Sequence, residues 1–271
     1  MEWSKLKNII LLILLITNLC LLAFVVHGEL QDRQLQTQAR ENAVAFLREM
    51  GIQVEESQVP RQMELLPQTV ERDQEAEGNA AAALLGGTVL IEPRGGEVYR
   101  YYNDNGEIQF HSDGSFQAEF VSGLFPVGED REQGCLAVLR AMGLEGELLE
   151  ETEEALTFRQ TWQGYPLFTR QATLVCREGS VRQITGGRRL TGEPVPDASQ
   201  TPITVATALI SFSNGLNTLG DVCSRIDAIT PGYVSAVSLS GPMTLTPVWR
   251  ITTDTGAYQL DTLTGKVSRV L

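Results

Sequence analysis

The chain has 271 residues and a formal net charge of −13, with 34 acidic residues against 21 basic ones. Such a surface repels nucleic acid and anionic lipid, so no nucleic-acid partner is expected. Two histidines and four cysteines without a C-x-x-C spacing argue against a disulfide framework, a metal cluster or a Ser-His-Asp set, and no cofactor is expected.

The chain opens with "MEWSKLKNIILLILLITNLCLLAFVVHGE", in which the 19 residues Asn8–Val26 carry no charge. Roughly 20 apolar residues in a helix cross a bilayer core, whereas a cleaved leader has an apolar region of about 7–15 residues and a small-residue cleavage site. Val26-His27-Gly28 is a poor match to such a site, and Leu19 before Cys20 is too bulky for a lipoprotein. A retained transmembrane helix over 8–26 is therefore expected. Lys5 and Lys7 put residues 1–7 in the cytoplasm and the rest outside the cell membrane, with Trp3 as an interfacial anchor. Asn18 sits among leucines near mid-bilayer. Its amide either bonds a partner helix, at about 0.6 to 2 kcal/mol, or is tolerated by a sufficiently apolar anchor.

Beyond the span, a polar stalk runs into an amphipathic helix with Ala43, Phe46, Leu47 and Met50 on one face and Gly51 as its stop. "LREMGI" at 47–52 returns as "LRAMGL" at 139–144, where Cys135, Leu136, Leu139 and Met142 form the apolar face. The repeat suggests two modules of similar design, an extracytoplasmic stalk with a first α+β module over 27–127 and a second over 128–271.

Between the first helix and its sheet, 57–85 reads as a long polar loop with at most one edge strand around Met63–Val70. Strand runs cut by "RGG", "NDNG" and "SDG" predict an antiparallel meander up to residue 121, and runs cut by "WQG", "REG" and "TGG" predict a second from residue 155. The charge run "ELLEETEE" at 147–154 lacks the spacing of a calcium loop and reads as a solvated helix end. A third helix is expected to open at Thr201-Pro202 and end near "SNG", before hairpins turning at "DTG" and "LTG". The fold class is α+β, a single N-terminal transmembrane helix followed by tandem helix-plus-antiparallel-sheet modules.

The search for catalytic residues returns no G-x-S-x-G, S-x-x-K or H-E-x-x-H. Asp254 and Asp261 flank hairpin turns and read as structural, and His111 reads as a surface residue. A non-enzyme is expected. Cys135 and Cys176 read as small core residues, with a bridge between them left open in an oxidising compartment. Trp162, Tyr165 and Phe168 in "TWQGYPLF" form the densest aromatic cluster, either a hairpin packing its rings inward or an exposed patch for protein contact.

The opening stretch, through Trp3, Lys5, Lys7 and Asn18, resembles the start of the YycI regulatory proteins of Gram-positive bacteria, relatives of YycH. "PVWRITTDTGAYQLDTLTGKV", with Trp249, Gly256, Tyr258, Asp261, Thr264 and Gly265, looks like the last hairpin of YycI and PepSY-type modules, and "FRQTWQGYPLFT" is similar to the family's aromatic strand. The resemblance implies a single-pass protein without enzymatic activity that associates with a WalK (YycG) sensor histidine kinase, often beside YycH, and tunes signalling over cell-wall metabolism. The PepSY-like hairpin supports an alternative, an extracytoplasmic module that restrains a peptidase.

Overall fold

The computed structural model describes residues 2–188, 192–236 and 242–270, leaving aside the side chains of 2, 4–6, 8–10, 12, 23, 25, 26, 28–30 and 188. It begins with one uninterrupted helix, α1 (Glu2–Glu49), which at 1.5 Å per residue is about 72 Å long. Next come β1 (Gln68–Val70) and α2 (Gln74–Leu85), followed by a meander of β2 (Leu90–Gly95), β3 (Val98–Asn103), β4 (Gly106–Phe110) and β5 (Ser115–Phe120). Helix α3 (Arg131–Ala141) leads into β6 (Glu145–Glu151), β7 (Ala155–Trp162), β8 (Tyr165–Arg177), β9 (Ser180–Arg188) and β10 (Pro194–Pro196). Helix α4 (Val205–Leu219) precedes β11 (Ile226–Ala236), β12 (Met243–Thr253), β13 (Gly256–Asp261) and β14 (Val267–Val270).

All these strands belong to one α+β sheet whose main path runs β10-β1-β12-β11-β8-β9-β5-β4-β3-β2. Two long strands make it branch. Strand β12 offers Met243–Leu245 to β1 and Val248–Thr253 to β13, and β14 continues from β13. Strand β8 pairs with β7 along one edge and with β9 through Thr173–Arg177. A single parallel pairing of its Leu167 with Tyr233 ties the two halves of the sheet. The other pairings between strands are antiparallel, as the short links require.

Two main cores form. One gathers α2, α3 and β3–β5 with β7–β9 around Phe110, Phe116, Leu139 and Phe158. The other packs the end of α1 and all of α4 on β11–β14, with Leu47, Phe212, Trp249, Ile251 and Tyr258 at its centre. The helix at 43–50 therefore shares a core with the carboxy-terminal strands, not with the meander that follows it in sequence. The cores do not follow a division at 127.

The repeated phrase proves to be a helix stop. Ile52 N–H donates to the Leu47 carbonyl (2.9 Å) and Gly51 N–H to that of Arg48 (3.0 Å), while Leu144 and Gly143 donate to Leu139 (2.9 Å) and Arg140 (2.8 Å). Both glycines are left-handed, at φ 86° and 74°, and each Leu/Ile or Leu/Leu pair is buried, the hydrophobic contact that accompanies this cap.

Four elements depart from the sequence reading. Within 57–85 the structure forms α2, capped by Asp73, whose carboxylate accepts from Ala76 N–H at 3.0 Å; the alanine run supplies the propensity. "ELLEETEE" begins within the edge strand β6, not at a helix end, and Glu147 and Glu151 pair with Arg159 (2.8 Å) and Arg131 (3.1 Å) across it. Helix α4 starts after Thr204, which accepts from Thr207 N–H at 3.2 Å, and runs through Gly215 to Gly220. Pro202-Ile203 stays outside because Ile203 N–H is used by the Thr262 carbonyl at 2.8 Å. "TGG" at 185–187 lies inside β9.

Candidate functional site

The seam where α1 enters the folded domain is built from its last turns and the segment that follows. Ala43, Val44 and Leu47 are buried at helical spacing, against Ala208, Leu209 and Phe212 of α4 in the same core. From the neighbouring face, the Arg40 guanidinium donates to the carbonyls of Val59 (2.9 Å), Pro60 (3.1 Å) and Glu56, and Arg48 donates to that of Val54 (2.9 Å). The segment is tied to the sheet as well: Gln53 N–H donates to Ser224 (2.8 Å), and the Gln58 amide to Asp227 (2.8 Å). A groove of about 620 Å³ lies between this segment and the sheet, with Arg40, Gln58, Met63, Pro231, Val248 and Trp249 in its lining. Sequence reasoning did not single out Arg40 or Arg48, because nothing local marks which arginine of a polar helix will meet carbonyls beyond the helix end, 16–20 residues on for Arg40 and six for Arg48.

A second cluster joins the two halves of the sheet. Trp162 Nε1 donates to Gln68 Oε1 (3.0 Å), and Gln68 Nε2 meets the Tyr233 hydroxyl (3.2 Å) and Gln163 Oε1 (3.2 Å). Tyr233 is buried, which pushes its phenol up to about 12, and its hydroxyl donates to the Leu66 carbonyl at 3.2 Å. Tyr165 donates to Glu64 Oε2 at 2.9 Å, and that hydrogen bond raises its own pKa. Phe168 lies under two guanidinium groups, Arg250 at 4.4 Å and Arg159 at 5.7 Å from its ring centre. Burial first, then Arg159, lowers the Arg250 pKa. Gly232 makes room: a Cβ there would come 2.6 Å from the Phe168 ring. The structure thus brings Trp162 and Tyr165 into one half-buried cluster with Gln68 and Tyr233, while Phe168, of opposite strand parity to Tyr165, packs separately with Arg250, Arg159 and Gly232.

The residues read for the membrane lie along α1. From Leu11 to Phe24 every described large apolar side chain is more than half exposed, as is Trp3, so none is used to build the folded domain. Asn18 Nδ2 donates to the Leu14 carbonyl (3.0 Å) and Thr17 to that of Ile13 (2.9 Å), so one donor of the Asn18 amide is met within its own helix. Lys7 is exposed, and the Lys5 side chain lies outside the described residues. Among the described residues no helix is long and apolar enough to cross a membrane; residues 8–10, 12, 23, 25 and 26 of the run 8–26 have side chains outside that description.

Among the described residues no group of three or more His, Cys, Asp and Glu side chains could hold a metal. Asp254 and Asp261 serve turns: Asp254 accepts from the amides of Ser224 (3.0 Å) and Arg225 (3.2 Å), and Asp261 from those of Leu263 (2.8 Å) and Thr264 (3.1 Å). His111 follows β4 in the hairpin to β5.

No protein-family model matches the chain, and no curated protein does. Among solved structures it is similar to an uncharacterized protein from Eubacterium rectale, at 12% identity and a TM-score of 0.42 over 78% of this chain and 87% of that one. It is also similar to the YpeB C-terminal domain of Bacillus megaterium, at 11% identity and a TM-score of 0.38 over 74% of this chain and 99% of that one. Superpositions this loose carry no argument about function. The architecture rests on the chain's own helices and strand pairing.

Proposed function

We propose that the chain is a non-enzymatic, membrane-anchored regulator of a WalK (YycG)-type sensor histidine kinase, acting beside a YycH-like protein in the control of cell-wall metabolism. Residues 8–26 form the span, residues 1–7 are cytoplasmic and the sheet domain is outside. The observation that carries this reading is the continuity of α1. Its first half exposes a large apolar surface to which the domain contributes nothing, and such a surface calls for a lipid or protein cover. The same helix ends in the domain's core, clasped by Arg40 and Arg48. A rigid rod between bilayer and core passes a displacement at one end to the other, which a flexible tether does not.

The test is co-purification of the full chain with the kinase from membranes, read together with kinase autophosphorylation. Replacing residues 8–26 by an unrelated span should keep the protein in the membrane and abolish its effect on the kinase. An unchanged effect would count against the helix contact, and absence of any complex against the regulator reading. The packing of α4 on β11–β14 favours a second reading, a helix-on-sheet module that restrains a peptidase; soluble residues 28–271 would then inhibit a peptidase with no kinase present.

A further inference from the structure

Cys135, in the first half of α3, and Cys176, near the end of β8, bring their sulfurs to 3.6 Å across 41 residues of sequence. Both are buried, 0% and 8% exposed, in the core around Leu139 and Leu174. Each is held from its own side by the same turn. Arg131, at the start of α3, donates to the carbonyls of Thr152 (3.1 Å) and Glu153 (3.0 Å), while the backbone N–H of Cys176 donates to that of Glu154 (2.7 Å). The ladder slips between Val175 and Cys176, and the Asp130 carboxylate caps α3 by accepting from Gln133 N–H at 3.0 Å. Cys20 is exposed on α1, and Cys223 packs against the other core. Helix and strand therefore present these two thiols to each other and to no other cysteine among the described residues.

We infer that Cys135 and Cys176 form a cross-link site, closing to a disulfide while the chain folds in the presence of a small-molecule or protein disulfide. The two thiols give up two protons and two electrons as the sulfur–sulfur bond forms, and the oxidant's disulfide is reduced to two thiols. Attack needs a thiolate, and burial pushes the Cys135 thiol up to about 12, so closure belongs to folding, before α3 docks. The bond fixes α3 to β8, the strand that both halves of the sheet share, and closes a loop whose freedom the unfolded chain then lacks.

The experiment refolds the reduced full-length chain from denaturant into detergent with a mixture of reduced and oxidised glutathione. It then alkylates under denaturing conditions and maps the peptides by mass spectrometry, and it does not depend on where the protein resides. The expected product joins the Cys135 and Cys176 peptides, leaves Cys20 and Cys223 alkylated, and loses about 5–10 °C of thermal midpoint on reduction. In the Cys176→Ser variant the midpoint should not respond to reductant. Full alkylation of both thiols, pairing of either with Cys20, Cys223 or glutathione, or a wild-type midpoint that reduction leaves unchanged would overturn the inference.

Discussion

The indole N–H of Trp162 donates to the side-chain oxygen of Gln68 at 3.0 Å, and through the Gln68 amide that contact reaches the buried hydroxyl of Tyr233. Replacing Gln68 with Leu strands the indole donor in a half-buried site. A cost of about 1–3 kcal/mol is expected. It should appear in urea unfolding as a lower midpoint with an unchanged slope, because the surface exposed on unfolding stays the same.

Arg72 meets Glu77 through Nε and Nη2, each at 2.8 Å, and the Glu77 side chain is fully buried. This hydrogen bond is the first cause of the raised Arg72 pKa. Arg72→Met leaves a buried carboxylate unpaired and should cost about 3–5 kcal/mol. The Arg72→Met/Glu77→Leu double variant should recover most of that loss in a denaturation cycle, since no charge remains to be compensated.

At Gly215 two effects of opposite sign compete. Alanine favours a helix interior over glycine by about 1 kcal/mol, but a Cβ here would lie 2.4 Å from Val267 of β14. Forcing α4 off the sheet costs typically about 1–3 kcal/mol. Gly215→Ala should therefore destabilise the protein, as a lower thermal midpoint would show.

The Ser224 hydroxyl first, then the Arg225 and Ser224 amides, hold the Asp254 carboxyl below the usual carboxylate range. With the folded pKa below the unfolded one, the contribution to stability is fully present above the unfolded value of about 4 and disappears as pH falls through the folded value. The gap in urea midpoint between the protein and Asp254→Asn should be constant from neutral pH to about 4 and narrow below it. A gap that widens in acid would refute the assignment.

Thr37 stands on α1 between the exposed apolar stretch and Arg40. A proline there removes a backbone hydrogen bond and clashes with the preceding turn. On the regulator reading, Thr37→Pro should leave the thermal midpoint of the sheet domain nearly unchanged while uncoupling it from the kinase, measured as lost control of autophosphorylation.

How much of this was legible in the sequence depended on how local the cause was. The helix stops at Gly51 and Gly143 were readable because a left-handed glycine after an apolar helix face is a local device. So were the turns at "NDNG", "SDG", "WQG", "REG", "DTG" and "LTG", which fall between consecutive strands. Helix α2 had its signal in Asp73 and the alanines that follow, obscured by the polar loop ahead of it. Edge strand β6 was hidden because it meets the core chiefly through Leu148, too little to show an alternation of apolar and polar residues.

The sequence by itself determined most of the elements, the long apolar run of α1 and most of the hairpin turns, since propensity, periodicity and capping act over a few residues. Only the tertiary structure decided that α1 ends in the carboxy-terminal core, that Trp162 reaches Gln68, and that Cys135 faces Cys176. Those are contacts between residues far apart in the chain. They depend on how twisted strands branch and which helix covers which face, and no short window of sequence carries that information.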